Sequence, residues 1–338
     1  MHSLKLGIPI LTMFIFLMAC QKSIINQPVP IINAATESGD ASLAVVTREY
    51  LVTPSLTDPA INTFNQKHFA SVQEGGVRKN VLFVFLPGSY RIPVESKGIL
   101  QKSVSLGFHA IGLMYPNTNP VNPLCGGTND VTCHRRARNE VIDGIDRHPS
   151  INVNPANSIL NRLTKLLVYL NKTYPTQGWS QYLVNGKPNW AKIMISGHSQ
   201  GGALAGLIGK LYPVKKVIIF SMMDFLKSGR WPDWEDLPAN KSKYFAISNT
   251  QDELVPYYIV KIGWSTAHLG LLNYGTYRNC DWVPYPYNNA HALITQIIPK
   301  TTLVDKFHNS TAIDTYIPKD AKGKFIYDKA WEYLLTAQ

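Results

Sequence analysis

The 338-residue chain has little charge, and what it has is thinly spread. Charged residues make up 16% of it and hydrophobic ones 45%. That balance excludes wholesale disorder and supplies enough apolar side chains for a sizeable core. Lysine and arginine outnumber aspartate and glutamate 33 to 22, a formal charge of +11. Yet the short basic clusters RKN, HRRAR and VKK stand in separate segments, with no basic helix and no arginine-rich arm. A nucleic-acid partner is therefore not expected; dispersed charge of this kind serves solubility or attraction to anionic surfaces. The chain also lacks an H-E-x-x-H pair, zinc-spaced cysteines and a dinucleotide fingerprint, so no metal or organic cofactor is implied. It has no internal repeat and no low-complexity tract. Its length fits one large domain or two small ones. Cysteine is scarce, at four residues.

Long apolar runs are nearly absent too. The most prominent, Ile8 to Met18, follows a weakly basic start and leads into LMAC. It is too short, and too closely followed by polar sequence, to span a membrane with confidence. It resembles a bacterial lipoprotein signal, in which residues 1–19 are removed and Cys20 becomes the lipidated first residue; an ordinary secretory signal cut nearby is the alternative. Either way the mature chain leaves the cytoplasm, lipid-anchored to a cell-envelope membrane or secreted. Residues 20–48, polar with proline and small side chains, read as a flexible tether, and residues 49–338 as the folded domain. Cys125 and Cys133 close the short polar loop CGGTNDVTC, where an oxidising compartment favours a disulfide. Cys280 is left over, as a buried thiol.

Several short apolar runs rich in branched residues read as buried strands. They span Val81–Pro87, His109–Pro116, Lys192–Gly197, Lys216–Asp224, Lys243–Thr250 and Ala292–Pro299. Helical patterns lie between them, at Ser158–Tyr174, with Ile159, Leu163, Leu166, Leu167 and Leu170 on one face, and at Gln200–Tyr212. This alternation predicts an α/β fold with a mostly parallel central sheet and helices on both faces. Ligands of such sheets sit beyond the carboxyl ends of the strands. The stretch ISGHSQGGALAG belongs there, because strand KIMIS runs into GHSQG and a helix begins at once. This is G-x-S-x-G in a strand, sharp turn, helix context, with Gly197 and Gly201 permitting the reversal that lifts Ser199 into the open.

From these residues the chain, over roughly Asn80 to His308, resembles the α/β-hydrolase superfamily. More narrowly it resembles a largely uncharacterised family of exported bacterial hydrolases with plant relatives, through FLPGS, GLMYPN, the Cys125/Cys133 pair, SILNRL, GHSQGG and FHNSTAID. The superfamily's order of serine, acid, histidine implies Ser199 as nucleophile and places the other two after it. Asp252, in the D-x-L-V-P stretch after the penultimate strand, is the expected acid; Asp224, one strand earlier, is the alternative. His308, in the loop after the last strand, is the expected base. His291 stands immediately before that strand, at the wrong edge, and His268 lies in an apolar segment. His198 is expected to support the turn rather than do chemistry. Glu253 is expected to be solvated and Asp314 to be a loop residue with no role. The backbone N–H groups of Gln200 and, from LPGSY, Ser89 are the expected oxyanion donors.

The resemblance implies a serine hydrolase cleaving a small-molecule or lipid-like ester through an acyl-serine intermediate. An acyltransferase with the same triad, and a non-catalytic surface lipoprotein, are the alternatives. Two segments rich in aromatic residues, Phe225–Lys241 and Trp264–Pro286, read either as a lid or acyl pocket or as ordinary surface loops. The N-terminal reading carries its own test. Wild-type protein is expected to partition with membranes, while Cys20→Ala accumulates as precursor or soluble protein in cell fractionation; mature wild type free in the culture fluid would mark an ordinary secretory signal.

Overall fold

The computed structural model describes residues 44–236 and 241–338. The expected signal segment, Cys20 and all but the end of the expected tether lie outside them. Among the described residues, a sheet of nine strands runs through the molecule. In chain order these are β1 (Val46–Val52), β2 (His68–Glu74), β3 (Leu82–Leu86), β4 (His109–Gly112) and β5 (Ile193–His198), followed by β6 (Lys216–Phe220), β7 (Tyr244–Asn249), β8 (Arg278–Asn279) and β9 (Ala292–Thr295). Their order across the sheet is β1-β2-β4-β3-β5-β6-β7-β9-β8. β1 pairs antiparallel with β2, and β2 with β4; every other pairing is parallel. The architecture is α/β with a mostly parallel sheet.

All six expected strands are present. β3 and β6 are buried along their whole length, because both faces of the sheet are covered. Leu82, Val84 and Leu86 point into one apolar core, while Phe83 and Phe85 point into the other. β6 divides in the same way, Val217 and Ile219 against Ile218 and Phe220. A strand covered on both sides needs apolar residues at every position. The first core is closed by α3 (Cys133–Asp143), α4 (Ile159–Thr173) and α5 (Gln200–Leu211); the second by α1 (Lys97–Ser105) and α7 (Asp328–Thr336). α4 starts where the Ser158 side chain accepts the Asn161 N–H at 3.3 Å, an N-cap. α5 packs closely because its sheet-facing residues are small. A Cβ at Gly209 would run into the Val217 side chain of β6.

Several elements go beyond the sequence reading, among them β1, β2 and α1. The edge strand β1 and its neighbour β2 carry polar residues and lack the long apolar run that betrays the other interior strands, so neither is expected from the sequence. β1 begins at Val46, which makes Val46–Arg48 strand rather than tether; Arg48 Nε pairs with Glu74 across the hairpin at 2.9 Å. α1 opens with Lys-Gly, a weak start, and takes its support from 216 residues away. Both carboxylate oxygens of Asp314 accept the Gly98 N–H, at 3.1 and 2.9 Å, and the Asp314 N–H donates to the Glu95 carbonyl at 2.8 Å. Asp314 therefore has a structural role, tying the C-terminal segment to the first turn of α1.

Burial pushes the Asp314 carboxyl up to about 6, against the opposing N–H bond from Gly98. A raised pKa means that the folded state holds its proton more tightly than the unfolded state does. Stability from this group is therefore present at low pH and falls as pH rises from about 4 to about 6. Urea denaturation at pH 4 and pH 7 should show wild type losing stability relative to Asp314→Asn as pH increases across that window.

Candidate active site

Parallel strands put their carboxyl ends on one edge, and the loops leaving that edge hold the site. β5 ends in the turn Gly197-His198-Ser199-Gln200-Gly201. Ser199 has φ 54 and ψ −127, a region that L residues rarely occupy, and its N–H is anchored on the Phe220 carbonyl of β6 at 3.0 Å. The glycines on either side are required by contact. A Cβ at Gly201 would collide with the carbonyl of Leu86 and lie 2.6 Å from that of Pro87; one at Gly197 would run into the Gly201 backbone. The backbone is thus folded against the end of β3 so that the Ser199 side chain stands clear of it, at the N-terminus of α5.

Ser199 and His308 both line one cavity of about 620 Å³. His308 sits in α6 (Lys306–Asn309), a single turn in the chain that returns after β9. Its Nδ1 lies 2.9 Å from each carboxylate oxygen of Asp252. Both side chains are almost closed to water, at 4% and 0% exposure, and the bond to a carboxylate fixes Nδ1 as the donor. The imidazole's other nitrogen, Nε2, is buried with no hydrogen-bond partner among the described residues. In the neutral tautomer set by Asp252, that atom carries the free lone pair.

Asp252 is itself held. Its Oδ1 accepts the N–H groups of Leu254 and Val255, both at 2.9 Å, and these two residues line the cavity. That gives the D-x-L-V-P pattern a physical meaning, since one carboxylate folds the turn and orients the ring. The alternative acid, Asp224, is committed elsewhere. It pairs with Arg138, Nε to Oδ2 at 2.8 Å and Nη2 to Oδ1, and accepts the Trp234 indole N–H at 2.8 Å. Complete burial works to raise its pKa, but Arg138, His134 and the Trp234 indole together outweigh burial and hold the carboxyl below the ordinary range. Glu235, whose Oε1 accepts the Asp224 N–H at 2.8 Å, is pushed well up by burial and by Asp224.

The other candidate histidines have partners of their own. His291 bonds the Tyr244 carbonyl through Nδ1 at 3.0 Å and is stacked between Phe245 and Tyr274; burial lowers it to about 4. His268 pairs with Asp236 at 2.8 Å and stacks on Trp231. His198 lies behind the site. Its Nε2–H donates to the His308 carbonyl at 2.9 Å, while burial first, and His308 second, hold its pKa well below the usual value. It is a neutral donor that fixes the His308 backbone.

The loop after β3 forms the opposite lip. The Asn117 side-chain amide, buried, donates to the carbonyls of Gly88 and Arg91, both at 2.8 Å. The Tyr90 N–H goes to the Asn117 carbonyl and the Arg91 N–H back to that of Gly88. Those bonds occupy the neighbouring amides, and Ser89 itself lines the cavity with Gln200. Ser89 Oγ and the Val121 N–H both donate to Gln200 Oε1 at 3.2 Å, so the Gln200 side chain couples the lip to the next wall. Being the first residue of α5, Gln200 has an N–H with no partner inside the helix.

α2 (Val121–Cys125) and the loop after it supply the next wall, through Val121, Asn122, Pro123, Gly126 and Gly127. Cys125 and Cys133 are joined as a disulfide that closes this loop. The sequence reading had located the disulfide but not assigned the loop to the cavity. Of the two aromatic-rich segments, Phe225–Lys241 contributes Phe225 and Lys227. Trp264–Pro286 contributes none of the lining residues; it packs away from the cavity, with Trp264 at 1% exposure and Tyr274 on His291. Its aromatic residues divide between core, at Trp264, and surface, at Trp282 and Tyr285. Cys280, within it, is a free, half-buried thiol. Among the described residues, the side chains grouped as metal ligands are Cys125, Cys133 and His148. The two sulfurs are bonded to each other, so neither offers a thiolate.

A structural comparison matches an alpha-beta serine hydrolase homologue from Coxiella burnetii. The two are 12% identical, with 72% of this chain and 82% of that one covered and a TM-score of 0.34. No protein-family model and no curated protein matches the chain. At that level of likeness the site has to be read from its own geometry.

The two aspartates can be separated by experiment. Asp224→Asn leaves the Arg138 guanidinium buried without its counter-charge and should cost about 3–5 kcal/mol in urea denaturation. Asp252→Asn keeps Oδ1 for Leu254 and Val255 and should cost only about 1–2 kcal/mol.

Proposed function

We propose that the protein is a serine hydrolase of the α/β-hydrolase type that cleaves an ester through an acyl-serine intermediate, and that Cys20 anchors it by lipid to the cell envelope. One observation carries the catalytic reading. His308, with Nδ1 on the Asp252 carboxylate and Nε2 unpartnered, shares a cavity with a serine held on a glycine-walled, positive-φ turn. A serine hydroxyl at neutral pH is a weak nucleophile, and a neutral imidazole with an oriented lone pair is what activates it.

The proposed course follows from the roles of these groups. Ser199 Oγ attacks the ester carbonyl carbon as His308 Nε2 takes its proton, and Asp252 stabilises the imidazolium that forms. The carbonyl oxygen, now negative, is received by the N–H groups of Gln200 and Ser89, with the positive end of the α5 dipole behind them. The imidazolium returns the proton to the alkoxide as the C–O bond breaks. Water, deprotonated in turn by His308, then attacks the acyl-serine and frees Ser199. The sheet order, antiparallel at one edge and parallel across the rest, and the elbow between β5 and α5 support the superfamily assignment. The mixed lining, with Met222, Phe225, Leu254 and Val255 beside Arg91, Asn122 and Lys227, suits an ester with an apolar acyl part.

A fluorophosphonate probe should label wild type and not Ser199→Ala, and that variant should fold normally yet turn over no p-nitrophenyl ester. His308→Ala should lower kcat/KM on the order of 10³-fold or more, whereas His291→Ala should keep most of the turnover and lose stability instead. Labelling of Ser199→Ala, or equal activity of the two histidine variants, would overturn the reading.

A further inference from the structure

We propose that Glu253 is a positioning residue for His308, clamping its backbone while the adjacent Asp252 orients its ring. The inference rests on His308 being the base, and it gives a function to a side chain expected to do nothing but meet solvent.

The turn that carries His308 is short of local support. It spans only Lys306–Asn309, and Asp305 before it, at φ 51, makes no side-chain cap. The first N–H groups of any helical turn have no partner within it. Here the missing acceptor comes from more than fifty residues away. Glu253 Oε1 accepts the Phe307 N–H at 3.1 Å and Oε2 the His308 N–H at 2.9 Å. Glu253 forms no ion pair among the described residues, and it is exposed, so neither charge pairing nor burial explains its orientation. A carboxylate facing the N–H groups of a turn is also favoured by the local dipole.

Taken with the contacts above, every hydrogen-bonding group of His308 but one is tied to a different residue outside its own segment. The backbone N–H goes to Glu253, the backbone C=O accepts from His198 Nε2–H at 2.9 Å, and ring Nδ1–H goes to Asp252. Nε2 alone is unbonded. Three fixed points define a rigid body, so the free lone pair has a fixed position in the cavity. Asp252 alone would let the ring pivot with its turn, and displacements near 1 Å are enough to cost on the order of 100-fold in rate.

The test uses the full chain and reads position as well as activity. In Glu253→Ala, amide hydrogen exchange at Phe307 and His308 should accelerate at least tenfold, with β5 amides unchanged. Its kcat on an ester should fall on the order of 10-fold to 100-fold with KM close to wild type. Glu253→Gln, which keeps one acceptor oxygen, should fall between the two, and it supplies the same comparison should the alanine variant fail to fold. In a His308→Ala background, Glu253→Ala should lower the residual turnover no further. Unchanged exchange at Phe307 and His308, or an equal loss of rate with and without His308, overturns the proposal. If the wild type neither hydrolyses esters nor takes up a fluorophosphonate, the functional reading fails instead, and the exchange data still decide whether Glu253 holds the turn.

Discussion

The site depends on a contact between two pieces of backbone. Gly201 lies so close to the carbonyls of Leu86 and Pro87 that no side chain fits between them, and Gly197 lies against Gly201 in the same way. With both sides closed, the chain has to reverse at Ser199 with a positive φ, a conformation that costs roughly 1–3 kcal/mol and persists only where the surroundings impose it. The surroundings are the two strands on either side. β3 supplies the carbonyls, and β6 supplies the Phe220 oxygen that accepts the Ser199 N–H. Both strands are buried on both faces, so the strain is held by the part of the sheet least able to give way.

From that contact the rest of the arrangement follows. Packing the turn against the end of β3 also brings the Pro87-Gly88-Ser89 loop beside the first residue of α5, and Gln200 fastens the two through its side chain. The serine is therefore placed by steric exclusion and the lip by hydrogen bonds. His308 is placed by a third means, being fixed from outside by side chains of other segments because its own turn is too short to hold itself. The three components arrive from separate loops, and they meet because parallel strands deliver their loops to one edge.

What was legible in the sequence matches what is local in physics. Interior strands announce themselves as continuous apolar runs, and the elbow announces itself through glycines around one serine; each is a property of adjacent residues. The antiparallel pair β1 and β2 was not legible, because the two strands carry Arg48, Glu49, Gln73 and Glu74 among their apolar residues and give no run. α1 was not legible because its first turn is completed by Asp314. Glu253 looked like a solvated neighbour for the same reason: its acceptors' partners, Phe307 and His308, lie far along the chain and nothing in the local sequence points to them. The aromatic residues of Trp264–Pro286 left two readings open, pocket or surface loop, and the structure puts them outside the cavity, part buried and part exposed, since composition alone does not tell a wall from a loop.

Asp224 and Asp252 put that limit most sharply. Each follows a parallel strand at the same edge, each is buried, and either could serve an imidazole if burial and position were the whole of it. The difference is the cation or donor that reaches them. Arg138, on α3 just beyond the disulfide-closed loop, meets Asp224 with two guanidinium nitrogens, and the indole of Trp234 takes up more of the same carboxylate. A carboxylate so engaged is already neutralised, the ring nearest it, His134, stands 3.9 Å off at Nε2, and removing the carboxylate would strand a buried positive charge. Asp252 meets only backbone N–H groups from its own turn besides His308, which leaves it free of any cation among the described residues. Two acids at equivalent sheet positions thus take different partners, one neutralising an arginine in the wall of the cavity and the other holding an imidazole, according to what the chain folds onto each.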